Sequence, residues 1–159
     1  MGAWTGTVPT FAAGAKLRGA DMQTISDILT ATTAAWTSYT PVWTANGTAV
    51  SLGNGTIVGK YRQVGKWVTA QILLTMGSTT TFGTSFYLFT LPVTALTANG
   101  YLGAAKFLDA GTLDRNGVSY LFDTTHVVAT SNAGAAGQLV PHTWANTDTF
   151  TIQIDYEAP

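Results

Sequence analysis

Two alternating runs flank Val64-Gly65 between Asn54 and Met76 (NGTIVGKYRQVGKWVTAQILLTM), and this stretch limits the possible folds most tightly. A period of two on both sides of a short break is the pattern of a β-hairpin. With Val64-Gly65 as a two-residue turn, Tyr61 lies opposite Val68, Gly59 opposite Ala70, and Ile57 opposite Ile72. The other face pairs Arg62 with Trp67, Lys60 with Thr69, and Val58 with Gln71. One face is then apolar and the other mostly polar, and a one-residue slip would scramble both. Arg62 beside Trp67 predicts a cation–π contact on the polar face. Val-Gly is not the Asn-Gly that a type I′ turn favours, which leaves the loop type open.

The rest of the chain reads as further strands. Thr149 to Tyr156 alternates most cleanly, with Phe150, Ile152, Ile154 and Tyr156 inward and Thr149, Thr151, Gln153 and Asp155 outward, as for a strand inside a sheet. Val118–Phe122 and His126–Thr130 form a second hairpin across Asp123-Thr124-Thr125, and Phe86–Val93 and Tyr101–Asp109 are strands. Leu113-Asp114-Arg115-Asn116-Gly117 carries a turn signature. Pro41 restricts residues 34–46 to an edge or lead-in strand. About eight strands with irregular loops predict a mainly β fold, an antiparallel β-sandwich of jelly-roll-like type over residues 36–159.

Residues 1–35 differ in character. The Gly-, Ala- and Thr-rich start, with Pro9 and the spaced apolar residues Trp4, Val8 and Phe11, cannot build a core and reads as an extended docking arm. Asp21–Thr33 is the one convincing helix, with Met22, Ile25 and Leu29 stepping by three and four, Leu17 as a staple and Asp21 at or near the N-cap. So short a helix is marginal in water and needs a surface. A seam of three helices with these residues at a and d positions would supply one, and so would the chain's own sandwich.

Composition narrows the function classes. Only 9% of the 159 residues are charged, against roughly 25% in an ordinary soluble domain. Threonine is the commonest residue, so the surface is kept wet by hydroxyls and amides or is hidden against other subunits. Net charge is −1 with no basic cluster, so no electrostatic footprint for nucleic acid is expected. There are no cysteines, which removes disulfides and thiolate chemistry. No secretory signal and no membrane insertion are expected, because no apolar run approaches the roughly 20 residues of a spanning helix.

Catalytic constellations are missing from the pattern. A carboxylate pair would have to come from Asp109, Asp114, Asp123, Asp148 and Asp155, and the two histidines, His126 and His142, show no helical ligand spacing. No nucleophile elbow, phosphate loop or dinucleotide fingerprint occurs. The expectation is a non-enzyme without catalytic, metal or cofactor residues. Trp36, Trp43, Trp67 and Trp144 either fill the core and subunit seams or include an exposed stacking platform for sugars.

Two segments carry a resemblance. VPTFAAGAKLRGADMQTISDILTA resembles the N-terminal leader of structural proteins of tailed bacteriophages and their prophages, and WTSYTPVWTANGTAVSLGNGTIVGKYRQVGKWVTAQILLTMGSTTTFGTSFYLFTLPV resembles the β-domain that commonly follows it. Together they span roughly residues 8 to 93. The resemblance implies a virion component assembled in the host cytoplasm, a minor tail or fibre-type protein or a capsid-decorating protein. It implies a homotrimer whose partners are itself, other capsid or tail proteins and, in a carbohydrate-binding alternative, host-surface glycans. On this reading Trp4, Val8, Phe11, Leu17, Met22, Ile25 and Leu29 dock and oligomerise.

Overall fold

The structure, a computed structural model, describes Thr10, Ala13, Gly14, Lys16 and residues 18–33 and 35–159. Trp4, Val8, Phe11 and Leu17 lie outside the described residues, and with them most of the expected arm. In chain order the elements are α1 (Gly19–Thr32), β1 (Thr37–Tyr39), β2 (Trp43–Ala45), β3 (Thr56–Val64), β4 (Trp67–Thr75), β5 (Tyr87–Thr90), β6 (Leu102–Asp109), β7 (Leu113–Leu121), β8 (His126–Ser131), β9 (Gly134–Ala135) and β10 (Thr149–Glu157). The fold is mainly β, as expected, with one short helix among the described residues.

All pairings are antiparallel and join the strands in the order β1-β3-β4-β10-β6-β7-β8-β5-β2, with β9 on the flank of β8. The sandwich is therefore one continuous sheet rolled back on itself. Two observations show the roll. Phe89 on β5 and Phe150 on β10 stand four strands apart in the order, about 19 Å in a flat sheet, yet their ring centroids are 5.3 Å apart. Likewise β1 and β2 end the order on opposite sides, while only residues 40–42 separate them in the chain. Four extended residues reach at most about 14 Å, whereas a flat sheet of this order would set its edges about 38 Å apart.

The rolled sheet encloses an aromatic core. Tyr87, Phe89, Phe107, Phe150 and Tyr156 are fully buried with Val68, Ile72, Leu74, Ile152 and Ile154. Their inward set on β10 is the one read from the sequence, and β10 lies between β4 and β6 inside the sheet. Each such side chain contributes roughly 1.5–3 kcal/mol on leaving water. Trp43 and Trp144 also lie in the core, while Trp36 and Trp67 are exposed.

Three local expectations are corrected. The β3–β4 hairpin turns at Gly65-Lys66, so Val64 faces Trp67, Tyr61 faces Ala70 and Gly59 faces Ile72. The reason is the turn: Gly65 sits at φ +60° and takes the first loop position, as a type II′ turn requires, and β-branched Val64 would be strained there. The shift is by two residues, so the expected faces survive although every partner changes. Arg62 consequently faces Thr69, and its guanidinium lies 5.9 Å from the Trp36 ring, not over Trp67.

Asp114-Arg115-Asn116-Gly117 is strand, not turn: it lies within β7 opposite β6, and the reversal falls at residues 110–112, where Gly111 takes φ +81°. Gly117 is needed for close approach, since a Cβ there would meet the Thr130 carbonyl at 2.2 Å and the Phe107 ring at 2.7 Å. The helix begins at Gly19, earlier than expected. Asp21, expected at or near the N-cap, is the third helical residue, and its carboxylate accepts the Arg18 amide at 2.9 Å in the manner of a capping box.

Candidate functional site

Three of the expected docking residues lie on α1. Met22 is 53% exposed and Leu29 60% exposed, and Ile25 is half-buried together with Ile28. The helix touches the body at β3. Among the described residues it adds nothing to the core or to the apolar side chains packed against the core. Hydroxyls of Thr24, Thr30 and Thr33 donate back to the carbonyls of Ala20, Ser26 and Leu29, and Gln23 bonds Asp27, so these polar groups are bonded within the helix.

Beside the helix, the outer face of β3 and β4 mixes polar and apolar side chains. Trp36 sits under the cations of Lys60 and Arg62, with Lys60 Nζ 5.0 Å from the ring centroid. Val58 and Leu73, paired across the strands, are both exposed and line a shallow depression with Ser38, Lys60, Gln71 and Thr151. The next rows are held by polar ladders, Gln71 to Gln153 at 3.0 Å and the Thr69 hydroxyl to the Asp155 carboxylate. At the hairpin end Trp67 is 52% exposed and packs edge-on against Tyr101, with centroids 6.4 Å apart.

Of the two histidines, His126 belongs to the β7–β8 turn. Asp123 Oδ1 accepts from the Thr125 amide (2.6 Å), the Thr125 hydroxyl (2.7 Å) and the His126 amide (2.8 Å), and the His126 ring approaches the same carboxylate at 2.9 Å. Partial burial would raise the Asp123 pKa, but the Thr125 and His126 contacts together outweigh it and lower it to about 2. This is turn chemistry that fixes the expected second hairpin.

His142 is different. It is 8% exposed, its ring tilted against that of Trp144 with centroids 4.4 Å apart, and the Trp144 indole N–H is anchored on the Gly137 carbonyl at 2.8 Å. Neither ring nitrogen of His142 makes a hydrogen bond, although Nε2 lies 3.5 Å from Asp148 Oδ2. Asp148, 1% exposed, accepts the Ala110 amide on Oδ1 (2.9 Å) and the Ala145 amide on Oδ2 (2.7 Å). Asp109, the last residue of β6, completes the group: one donor atom from each of Asp109, His142 and Asp148 lies within 4.8 Å of the others. The loop that delivers Asp148 is pinned on both sides of the left-handed Thr147 (φ 74°), where the Thr147 amide bonds the Met76 carbonyl and the Met76 amide bonds the Asp148 carbonyl.

Sequence reading considered these residues one at a time and expected no metal ligands. The trio is assembled by the β6–β7 reversal and the loop before β10, and no fixed spacing in the sequence announces it. The available signal was a histidine in an apolar loop bracketed by two aspartates at strand ends. No protein family, curated protein or solved structure matches the chain.

Proposed function

We propose that this chain is a non-enzymatic structural component of a tailed-bacteriophage virion, a homotrimeric surface appendage of the minor tail, fibre or capsid-decoration kind. The leader and its helix dock and trimerise, and the rolled β-domain faces outward. The resemblance of residues 8 to 93 suggests the particle. The observation that carries the reading is the helix: Met22 and Leu29 stay exposed on an element that adds nothing to the core among the described residues. A 14-residue helix with apolar side chains left in water gains stability from neighbouring copies. The low charge of 9% permits dense packing of subunits without repulsion. Native mass spectrometry of the full chain is expected to give three times the 16.7 kDa protomer. A monomer at micromolar concentration rejects the trimer, and quantitative mass spectrometry of particles separates the locations, many copies for a capsid protein and few for a tail protein.

A second reading, recognition of host-surface glycans, is favoured by the exposed Trp67 beside Tyr101, an aromatic ledge of the sort on which sugar rings stack. It predicts a shift in tryptophan fluorescence with cell-wall glycans that Trp67→Ala abolishes.

A further inference from the structure

We propose that Asp109, His142 and Asp148 form a binding site for one divalent transition-metal ion of the zinc class, which staples the loop before β10 to the β6–β7 hairpin. The cluster alone would not carry this; the imidazole does. A ring buried to 8% exposure with both nitrogens unbonded is costly unless something accepts or supplies a bond there. The ring points its Nε2 at the carboxylate of Asp148 from 3.5 Å. Two donors on one tetrahedral ion, each about 2.1 Å away, stand about 3.4 Å apart. The three donors lie within 4.8 Å of one another, so small side-chain rotations close the set around an ion.

The donors also choose the ion. One imidazole and two carboxylates suit zinc, cobalt or manganese. Calcium wants six to eight oxygens and magnesium keeps most of its water, so neither gains from a buried imidazole. Asp148 can ligate while keeping its two amide bonds, because each carboxylate oxygen has a second lone pair. The Ala110 and Ala145 amides would then orient that ligand as an outer layer. Water would complete the coordination. Such an ion ties the end of β6 to the residue just before β10, in a chain whose lack of cysteine rules out a disulfide for the same task.

The test uses the full chain, stripped with chelator and then dialysed against zinc. About one zinc per chain is expected, together with a rise in melting temperature that chelator reverses. At free zinc a hundred times the dissociation constant, the folding equilibrium shifts about a hundredfold. His142→Gln and Asp109→Asn should each abolish stoichiometric binding, and His126→Gln should leave it intact. Asp109→Asn keeps the test decisive if His142→Gln does not fold. Cobalt in place of zinc should give visible absorption bands that Asp109→Asn removes. Zinc absent from the wild-type chain, retained by the Asp109 and His142 variants, or lost with His126→Gln would overturn the site. None of these readouts depends on the oligomeric state.

Discussion

The Ser119 hydroxyl donates to the Gln153 carbonyl at 2.6 Å, although a whole strand, β6, runs between them. It can do so because residue 103 is glycine: a Cβ there would lie 2.5 Å from the Ser119 oxygen and 2.0 Å from the Gln153 carbonyl oxygen. The β6–β10 register stops at Ala104 opposite Gln153, so this bond takes over where the ladder ends and the strands part. Ser119→Ala removes this bond from a part-buried carbonyl and is expected to cost about 0.5–1.5 kcal/mol. Gly103→Ala must push backbone apart and is expected to cost more. Urea denaturation checks both, with Gly19→Ala, which meets nothing within 4 Å, as the neutral or mildly stabilising control.

Three tyrosines with buried hydroxyls respond to alkali. Burial pushes the hydroxyls of Tyr39, Tyr87 and Tyr156 well above their ordinary value of 10.0, with Tyr156 adding to the rise at Tyr39 and the Val93 bond only partly opposing it at Tyr156. A raised folded-state pKa means that the stabilisation is fully present below about pH 10 and is lost as the pH climbs further. Ultraviolet titration should therefore show these phenols ionising only together with unfolding.

The same three side chains differ on removal of the hydroxyl. Tyr156 donates to the Val93 carbonyl at 2.7 Å, whereas the hydroxyls of Tyr39 and Tyr87 are buried without a hydrogen bond. Tyr156→Phe is expected to cost about 1 kcal/mol, and Tyr39→Phe and Tyr87→Phe to be neutral or stabilising. Thermal denaturation at pH 7 distinguishes them.

Acid acts on the β7–β8 turn. The Asp123 carboxyl is lowered from 3.8 to about 2 in the folded chain, so its contribution is present above pH 4 and fades as the pH falls toward 2. Asp123→Asn should flatten stability against pH across that window, read from urea midpoints between pH 5 and pH 2.

The helix should be dispensable for the body but not for assembly. Met22→Lys touches no core residue, so the melting transition of the β-domain is expected to move by less than about 0.5 kcal/mol. The proposed trimer should weaken at the same time, visible in sedimentation velocity.

How much of this was readable beforehand depended on how local each feature is. The inward set of β10 and both hairpins follow from alternation, which any half-buried strand must show. The hairpin partners did not follow, because only the backbone angle at Gly65 decides where the chain reverses, and alternation is blind to a shift of two. Asp114 to Gly117 looked like a turn because glycine serves equally for reversal and for close approach, and only the neighbouring Thr130 carbonyl tells them apart. Trp36 took the Arg62 cation expected at Trp67, and Lys60 with it, because β1 lies beside β3, a pairing between segments that share no pattern. The Asp109–His142–Asp148 group was illegible for the same reason: its members meet only once β10 pairs with β6 and the loop before β10 folds over that end.

The nearness of β1 to β2 along the chain has a practical corollary. Sheets grow by recruiting strangers at open rims, and among the described residues the order of this one ends in two strands of three residues each, tethered to one another across Pro41. A stranger's strand finds little length to zip onto on β1 or β2 themselves, and the tether keeps either from peeling away to bare its neighbour. Cutting the backbone beside Pro41 would free both and is expected to leave the domain prone to polymerise edge to edge.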